Sequence, residues 1–226
     1  AAARAGFPAV ELHWPYDVPA AAVRARCERH RIKLLGINTH PGDMTAGDFG
    51  LGAVPGREAE FEAAMDEAIR YARAAGASMI HAMAGVVPPG GQEAARRRFI
   101  ANLKKAAPKA ADHGLILLLE AINPFDRPGY FYARQSEAAM ILAAVGAPNL
   151  KLMFDAYHCG RAEGDAAGLF EAVRPLVGHV QIAAVPDRGE PDRGDLDHRA
   201  FFAALDRLGW DGYVGCEYKP RGDTDE

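Results

Sequence analysis

Residues Leu115-Ile-Leu-Leu-Leu-Glu120-Ala-Ile122 stay apolar for five positions and then stop at a carboxylate. Strict alternation would mark a strand with one wet face. A continuous apolar run of this length marks a strand buried on both faces, as in a parallel sheet with helices packed outside it. Outward from this stretch, six more short β-rich runs repeat the pattern: Ala9 to Trp14, Ile32 to Asn38, Ser78 to Met83, Leu150 to Phe154, His179 to Ala183 and Tyr213 to Glu217. Longer segments with helical periodicity separate them. Arg57 to Ala75 places Phe61, Met65, Ala68, Ile69 and Ala72 on one face and ends at Gly76; Gln92 to Asp112 ends before Gly114, with Pro108 expected to kink it or start a new turn.

Strand and helix in alternation are the signature of βα units around a parallel sheet, here one (β/α) TIM barrel domain over residues 1–226. Eight strands would complete such a barrel. The first strand and the last helix are therefore expected outside this chain, before Ala1 and after Glu226.

Composition narrows the function. The chain has 226 residues, 49% hydrophobic and 25% charged, with net charge -4 and pI about 6.1. Its apolar runs are too short to span a bilayer, and it carries no basic stripe of the kind that replaces phosphate counterions, so neither membrane nor nucleic acid is expected as a partner. Cys27, Cys159 and Cys216 form no CxxC pair and leave an odd thiol, which fits a reducing compartment; with no secretory leader at the N-terminus, the expected location is cytoplasmic. Pro88-Pro-Gly-Gly91 lacks the Lys-Ser/Thr of a phosphate loop and reads as a turn.

Four strands end in an oxygen-bearing side chain: Glu120, Asp155, Gln181 and Glu217, spaced 35, 26 and 36 residues apart. A barrel of about 250 residues has about 31 residues per βα unit, so these side chains recur once per unit at the C-terminal end, where barrel enzymes carry their sites. A single acidic residue ending a strand is more often a helix cap or a solvated loop group, and Gln181 alone reads equally well as a satisfied buried amide. Four in register point elsewhere. Three converging carboxylates repel one another unless they share protons or a cation, and an all-oxygen set favours Mg2+ or Mn2+.

Taken with Asn38-Thr-His-Pro-Gly-Asp43, Pro55-Gly-Arg-Glu58, His81-Ala-Met-Ala-Gly85, Pro128-Gly-Tyr130, Asp155-Ala-Tyr-His158, His179-Val-Gln-Ile182 and Gly215-Cys-Glu-Tyr-Lys-Pro-Arg-Gly222, the chain resembles the hydroxypyruvate isomerase family, of the xylose-isomerase-like barrels. The resemblance covers nearly the whole chain. It implies a metal-dependent aldose-ketose isomerase working through an enediolate, with Glu120 and Glu217 as acid/base pair and metal ligands, Asp155 and Gln181 as further ligands, and a small oxo-acid or sugar as substrate. His158 and Arg188 are then expected to contact substrate, against a reading as ordinary loop packing. Lys219 shares the strand face of Glu217 and offers a cation to a substrate carboxylate, or else is a surface lysine lying along its stem. His81 is either a substrate contact or a hydrogen-bonded core histidine.

The main alternative is a ketose 3-epimerase or another small-sugar isomerase, using the same metal and glutamates. A DNA-repair endonuclease on this barrel would call for metal-binding histidines and a basic groove. A non-enzymatic binding module would not need both glutamates. His40 reads as loop structure and Glu11 as either inward-facing or a turn cap, while His13, His30, His113, His179 and His198 carry no functional argument. A homo-oligomer is left open.

Overall fold

The computed structural model describes residues 2–222. Seven strands lie where the sequence places them: β1 (Ala9–Leu12), β2 (Lys33–Asn38), β3 (Met79–His81), β4 (Ile116–Glu120), β5 (Leu150–Asp155), β6 (Val177–Ile182) and β7 (Val214–Cys216). Every neighbouring pair is parallel and the order follows the chain from β1 to β7. The helices α1 (Ala20–His30), α2 (Glu58–Ala75), α3 (Gln92–Ala111), α4 (Gln135–Val145), α5 (Ala156–Ala162), α6 (Ala166–Val173) and α7 (His198–Arg207) provide the crossovers. The result is a nearly closed barrel. Its two edges, β1 and β7, do not pair with each other among the described residues.

The burial of each strand on two faces gives two cores. Inside the barrel a small plug of Leu35, Met79, Leu118 and Met153 forms a floor. Outside, a far larger apolar layer joins strands to helices; α2 contributes Phe61, Met65, Ala68, Ile69 and Ala72, the face that its periodicity predicts. Helix α3 continues unbroken through Pro108, where a kink or fresh turn was expected. Lys104 and Pro108 both lie on the exposed side of the helix, so the missing N–H does not fall in the core.

Two short antiparallel bridges, Gly50 with Ala84 and Val86 with Tyr130, tie together the loops that leave β2, β3 and β4. They need glycine at residue 85, where a Cβ would lie 2.3 Å from the carbonyl oxygen of Gly50. The C-terminal rim of the barrel is thereby built from braced loops.

A cluster of three fully buried phenylalanines packs around β5, where Phe154 meets Phe170 at 5.3 Å and Phe201 at 5.9 Å between ring centroids. Phe154→Ala should cost about 3 to 5 kcal/mol of unfolding free energy, measured by urea denaturation. A loss below about 1 kcal/mol would show that this layer collapses around the cavity.

Candidate active site

Register decides which side chains meet. Asp155 is paired with Gln181, Glu120 with Met153, His81 with Leu118 and Gln181 with Gly215. Partners in a parallel ladder point the same way, and residues two apart on one strand share a face. His81, Glu120, Asp155 and Gln181 therefore project inward at one end of the barrel. Glu217, two residues beyond Gly215, joins them from the end of β7. A narrow cavity above the floor is lined by Glu11, His13, His81, Glu120, Gln181 and Glu217. It adjoins a second cavity of about 100 Å3 lined by His81, Glu120, Arg127, His158, Arg188 and Glu217. A larger cleft of about 580 Å3, between β1 and α1, holds none of these groups.

The acidic groups are crowded and nearly dry. Asp155 is 1% exposed and Glu120 5%. Ligand atoms of Glu120, Asp155 and His158 lie within 4.8 Å of one another, a spacing that suits a metal ion. Burial, then the neighbouring Glu217 and Asp155, raise the carboxyl of Glu120 well above its ordinary value. Burial and Glu217 push Asp155 up to about 7. Glu217 goes the other way: burial raises it, but the His13 hydrogen bond and the charge of Arg188 outweigh burial and hold it at about 2. Arg188 is the cation among these acids, with Nη2 2.9 Å from Glu217 Oε1 and 3.8 Å from Asp155 Oδ2.

Arg188 is held firmly. Its backbone is left-handed, φ 57°, a strained conformation for a residue with a side chain. Its N–H donates to Ala184 O at 2.9 Å and its carbonyl accepts from Lys219 N–H at 2.7 Å. Asp126 lies 3.7 Å from the guanidinium and accepts the Tyr157 hydroxyl at 2.9 Å, while the Tyr157 ring lies beneath Arg188. Lys219 thus supports Arg188 through its backbone. Its side chain is exposed and is not among those lining the two cavities, so the structure does not bring it to the other expected site residues.

Whether a metal fits can be judged from polar atoms left without partners. Glu120 Oε1, Asp155 Oδ2 and Gln181 Oε1 are buried and accept no hydrogen bond. The Gln181 amide is oriented from behind, because its Nε2 donates to Glu11 Oε2 at 2.9 Å, which leaves the oxygen free. Orphaned buried acceptors on three adjacent strands are costly unless something electropositive meets them. A hard divalent cation would satisfy all three; Glu217, whose Oε1 is held by His13 and Arg188 at 2.9 Å each, stands outside the group of ligand atoms within 4.8 Å of one another.

His81 and His158 flank this set. His81 Nδ1 is 3.5 Å from Glu120 Oε2, and His158 Nε2 is 3.7 Å from Glu120 Oε1 and 3.8 Å from Asp155 Oδ2. Burial drives the affinity of both rings for a second proton down to about 3, so both are neutral near pH 7. Asn123, fully buried, contacts the far side of His158: its Nδ2 lies 2.6 Å and its backbone N 3.3 Å from His158 Nδ1.

Several of these residues escaped the sequence reading. Glu11 has the same signal as the four expected oxygen donors, an oxygen-bearing side chain near the end of a strand, and it faces inward; it also lies 2.9 Å from His179. His13, two residues on, shares its strand face and bonds Glu217 at 2.9 Å. Asn123, Asp126 and Arg127 sit on the loop after β4, where no period marks a side chain.

The oxygen-rich cluster lies at the C-terminal rim of a parallel barrel, the face on which barrel enzymes carry their active sites. The chain belongs to the xylose isomerase-like TIM barrel family, whose family model matches residues 1–226. It is 45% identical to the 2-oxo-tetronate isomerase of Cupriavidus necator over 99% of this chain and 86% of that protein. It is 46% identical to the putative hydroxypyruvate isomerase of Mus musculus over 100% of this chain and 84% of that one. Among solved structures, an AP endonuclease, family 2, from Brucella melitensis superposes with TM-score 0.95 at 41% identity, covering 98% of this chain and 86% of that one. A D-allulose 3-epimerase from a Methylomonas species superposes with TM-score 0.79 at 25% identity, covering 94% and 74%. These relatives bear out the resemblance to the hydroxypyruvate isomerase family, and with it the isomerase class of enzyme.

The raised carboxyls set a pH dependence. An acid whose affinity for its proton is higher in the folded chain makes the fold bind more protons than the unfolded chain, so stability falls as pH rises between the two values. For Asp155 that interval runs from its ordinary 3.8 to about 7. A divalent cation bound there would take the place of those protons. The rise in melting temperature on adding Mg2+ or Mn2+ should therefore grow from pH 5 to pH 8, by differential scanning fluorimetry. A shift that is flat or largest at pH 5 would contradict the site.

Proposed function

We propose that this isomerase interconverts hydroxypyruvate and tartronate semialdehyde, or the corresponding four-carbon acids, with Mg2+ or Mn2+ as its cofactor. One observation carries this reading: Glu120 and Glu217 flank a small cavity that also presents Arg188 and a neutral His158. The cavity has a volume of about 100 Å3.

Shifting the carbonyl of hydroxypyruvate from C2 to C3 needs one proton removed from C3 and one delivered to C2, while the hydroxyl proton moves from O3 to O2. Glu120 and Glu217 come from strands three apart, and between them they remove and return the carbon-bound proton. Arg188 holds the substrate carboxylate with its fork of N–H donors. His158 Nε2 and His81 stand at the rim of the same cavity, where they orient the two reacting oxygens. Glu120, Asp155, Gln181 and Glu217 would hold the metal, which supplies Lewis-acid stabilisation of the charge that builds on those oxygens.

A ketose 3-epimerase remains the second reading, favoured by the D-allulose 3-epimerase neighbour. It uses the same two glutamates on a different carbon, so a panel of three- to six-carbon oxo-acids and ketoses separates the two. Glu120→Gln and Glu217→Gln should each lower kcat by about 10²- to 10⁴-fold, with smaller effects on binding. The native, metal-loaded enzyme should exchange the substrate's carbon-bound hydrogen with deuterated solvent. Native turnover in both variants would overturn the assignment of residues, and no turnover or exchange across the panel would overturn the substrate class.

A further inference from the structure

The hydrogen bonds around Asn123 leave little freedom to assign. Its Oδ1 accepts from two backbone donors, Phe125 N at 3.1 Å and Asp126 N at 2.9 Å. A backbone N–H can only donate, so the oxygen end of the amide is fixed and the NH2 end must face His158. The second contact to His158 Nδ1 comes from the backbone N–H of Asn123 itself. Both groups that meet Nδ1 are therefore donors, and Nδ1 must be the bare, accepting nitrogen. A neutral imidazole carries one proton, which leaves it on Nε2. That nitrogen points into the space between Glu120 and Asp155.

We infer that Asn123 is a positioning residue that locks His158 in its Nε2–H tautomer, making His158 a hydrogen-bond donor to a substrate oxygen and excluding it from the metal's ligands. A histidine that ligates a metal offers a lone pair and turns its other N–H toward an acceptor. Here the other nitrogen faces two donors, the reverse arrangement. Distance alone would group His158 with Glu120 and Asp155 as a ligand; the proton placement removes it and leaves Gln181 to complete the oxygen set. A fixed donor aimed where charge develops on a substrate oxygen stabilises it without reorganisation. The same Asn123 shapes the loop bearing Asp126 and Arg127, so one side chain orients the donor and the rim beside it.

The role in catalysis rests on the proposed isomerase reading, but the tautomer can be read without any turnover. Ring 15N NMR of Mg2+-loaded protein labelled at histidine gives the protonated nitrogen directly, with His158 assigned by loss of its signals in His158→Gln. The native spectrum should show a protonated Nε2 and a bare Nδ1. In Asn123→Asp a carboxylate oxygen faces Nδ1, so the proton should move to Nδ1 and kcat should fall about tenfold or more with little change in KM. A native ring protonated at Nδ1, or bearing a metal-shifted Nε2, would overturn the inference. So would an Asn123→Asp protein that keeps the Nε2–H tautomer, whatever its turnover. If no substrate is turned over but the native tautomer is as stated, the placement of the proton stands and the isomerase reading fails alone.

Discussion

Mutual repulsion among Glu120, Asp155 and Glu217 is the constraint around which this barrel is organised. Two of these carboxylates, Glu120 and Asp155, are buried, with the partly exposed Glu217 beside them, and a buried charge is tolerated only when it is paired or neutralised. The structure answers in two ways. Arg188, on a left-handed backbone, pairs with Glu217, and the other two carboxyls are pushed toward keeping their protons. Neither answer satisfies the bare oxygens of Glu120, Asp155 and Gln181. The remaining demand is one that a small, hard cation would meet, and the proposed catalysis builds on it: groups placed to bind such a cation would also be placed to move a proton beside it.

Much else in the fold serves this rim. The inner plug of Leu35, Met79, Leu118 and Met153 closes the barrel beneath the acids and keeps bulk water from them. The Gly50–Ala84 and Val86–Tyr130 bridges brace the loops above. Phe49, carried on one of those loops, lies under the guanidinium of Arg127 at 3.8 Å, so the roof of the cavity is an aromatic-cation stack. Glu11 reaches from β1 toward β6 and turns the Gln181 amide. Gly215 on β7 makes this possible, since a Cβ there would lie 2.2 Å from Glu11 Oε1.

The fold was legible because burial on two faces writes itself into composition: Leu115 to Leu119 cannot be an exposed strand, and the period of α2 matches its buried face. The strand-end oxygens at the rim were legible for a geometric reason. One strand recurs per βα unit, so strand-end residues fall at one rim, and Glu120, Asp155, Gln181 and Glu217 are read by position alone. Glu11 carries the same signal and was passed over because a lone acid near a strand end has two ordinary explanations. Asn123, Asp126 and Arg127 could not be read this way, since a loop has no period and its contacts are set by tertiary packing. Lys219 shows the opposite failure. Its spacing from Glu217 assumed a strand that continued, whereas β7 ends at Cys216 and the lysine side chain turns to solvent.

Occupancy of the oxygen cluster is the claim on which everything else depends, and a crystal of the protein grown with Mn2+ tests it in one measurement by anomalous scattering. The account predicts a single strong peak at the barrel rim, with oxygens of Glu120, Asp155, Gln181 and Glu217 about 2.0 to 2.6 Å away and no histidine nitrogen bonded to it. A peak coordinated by His158 or His81, or manganese found only outside the cluster, would contradict it.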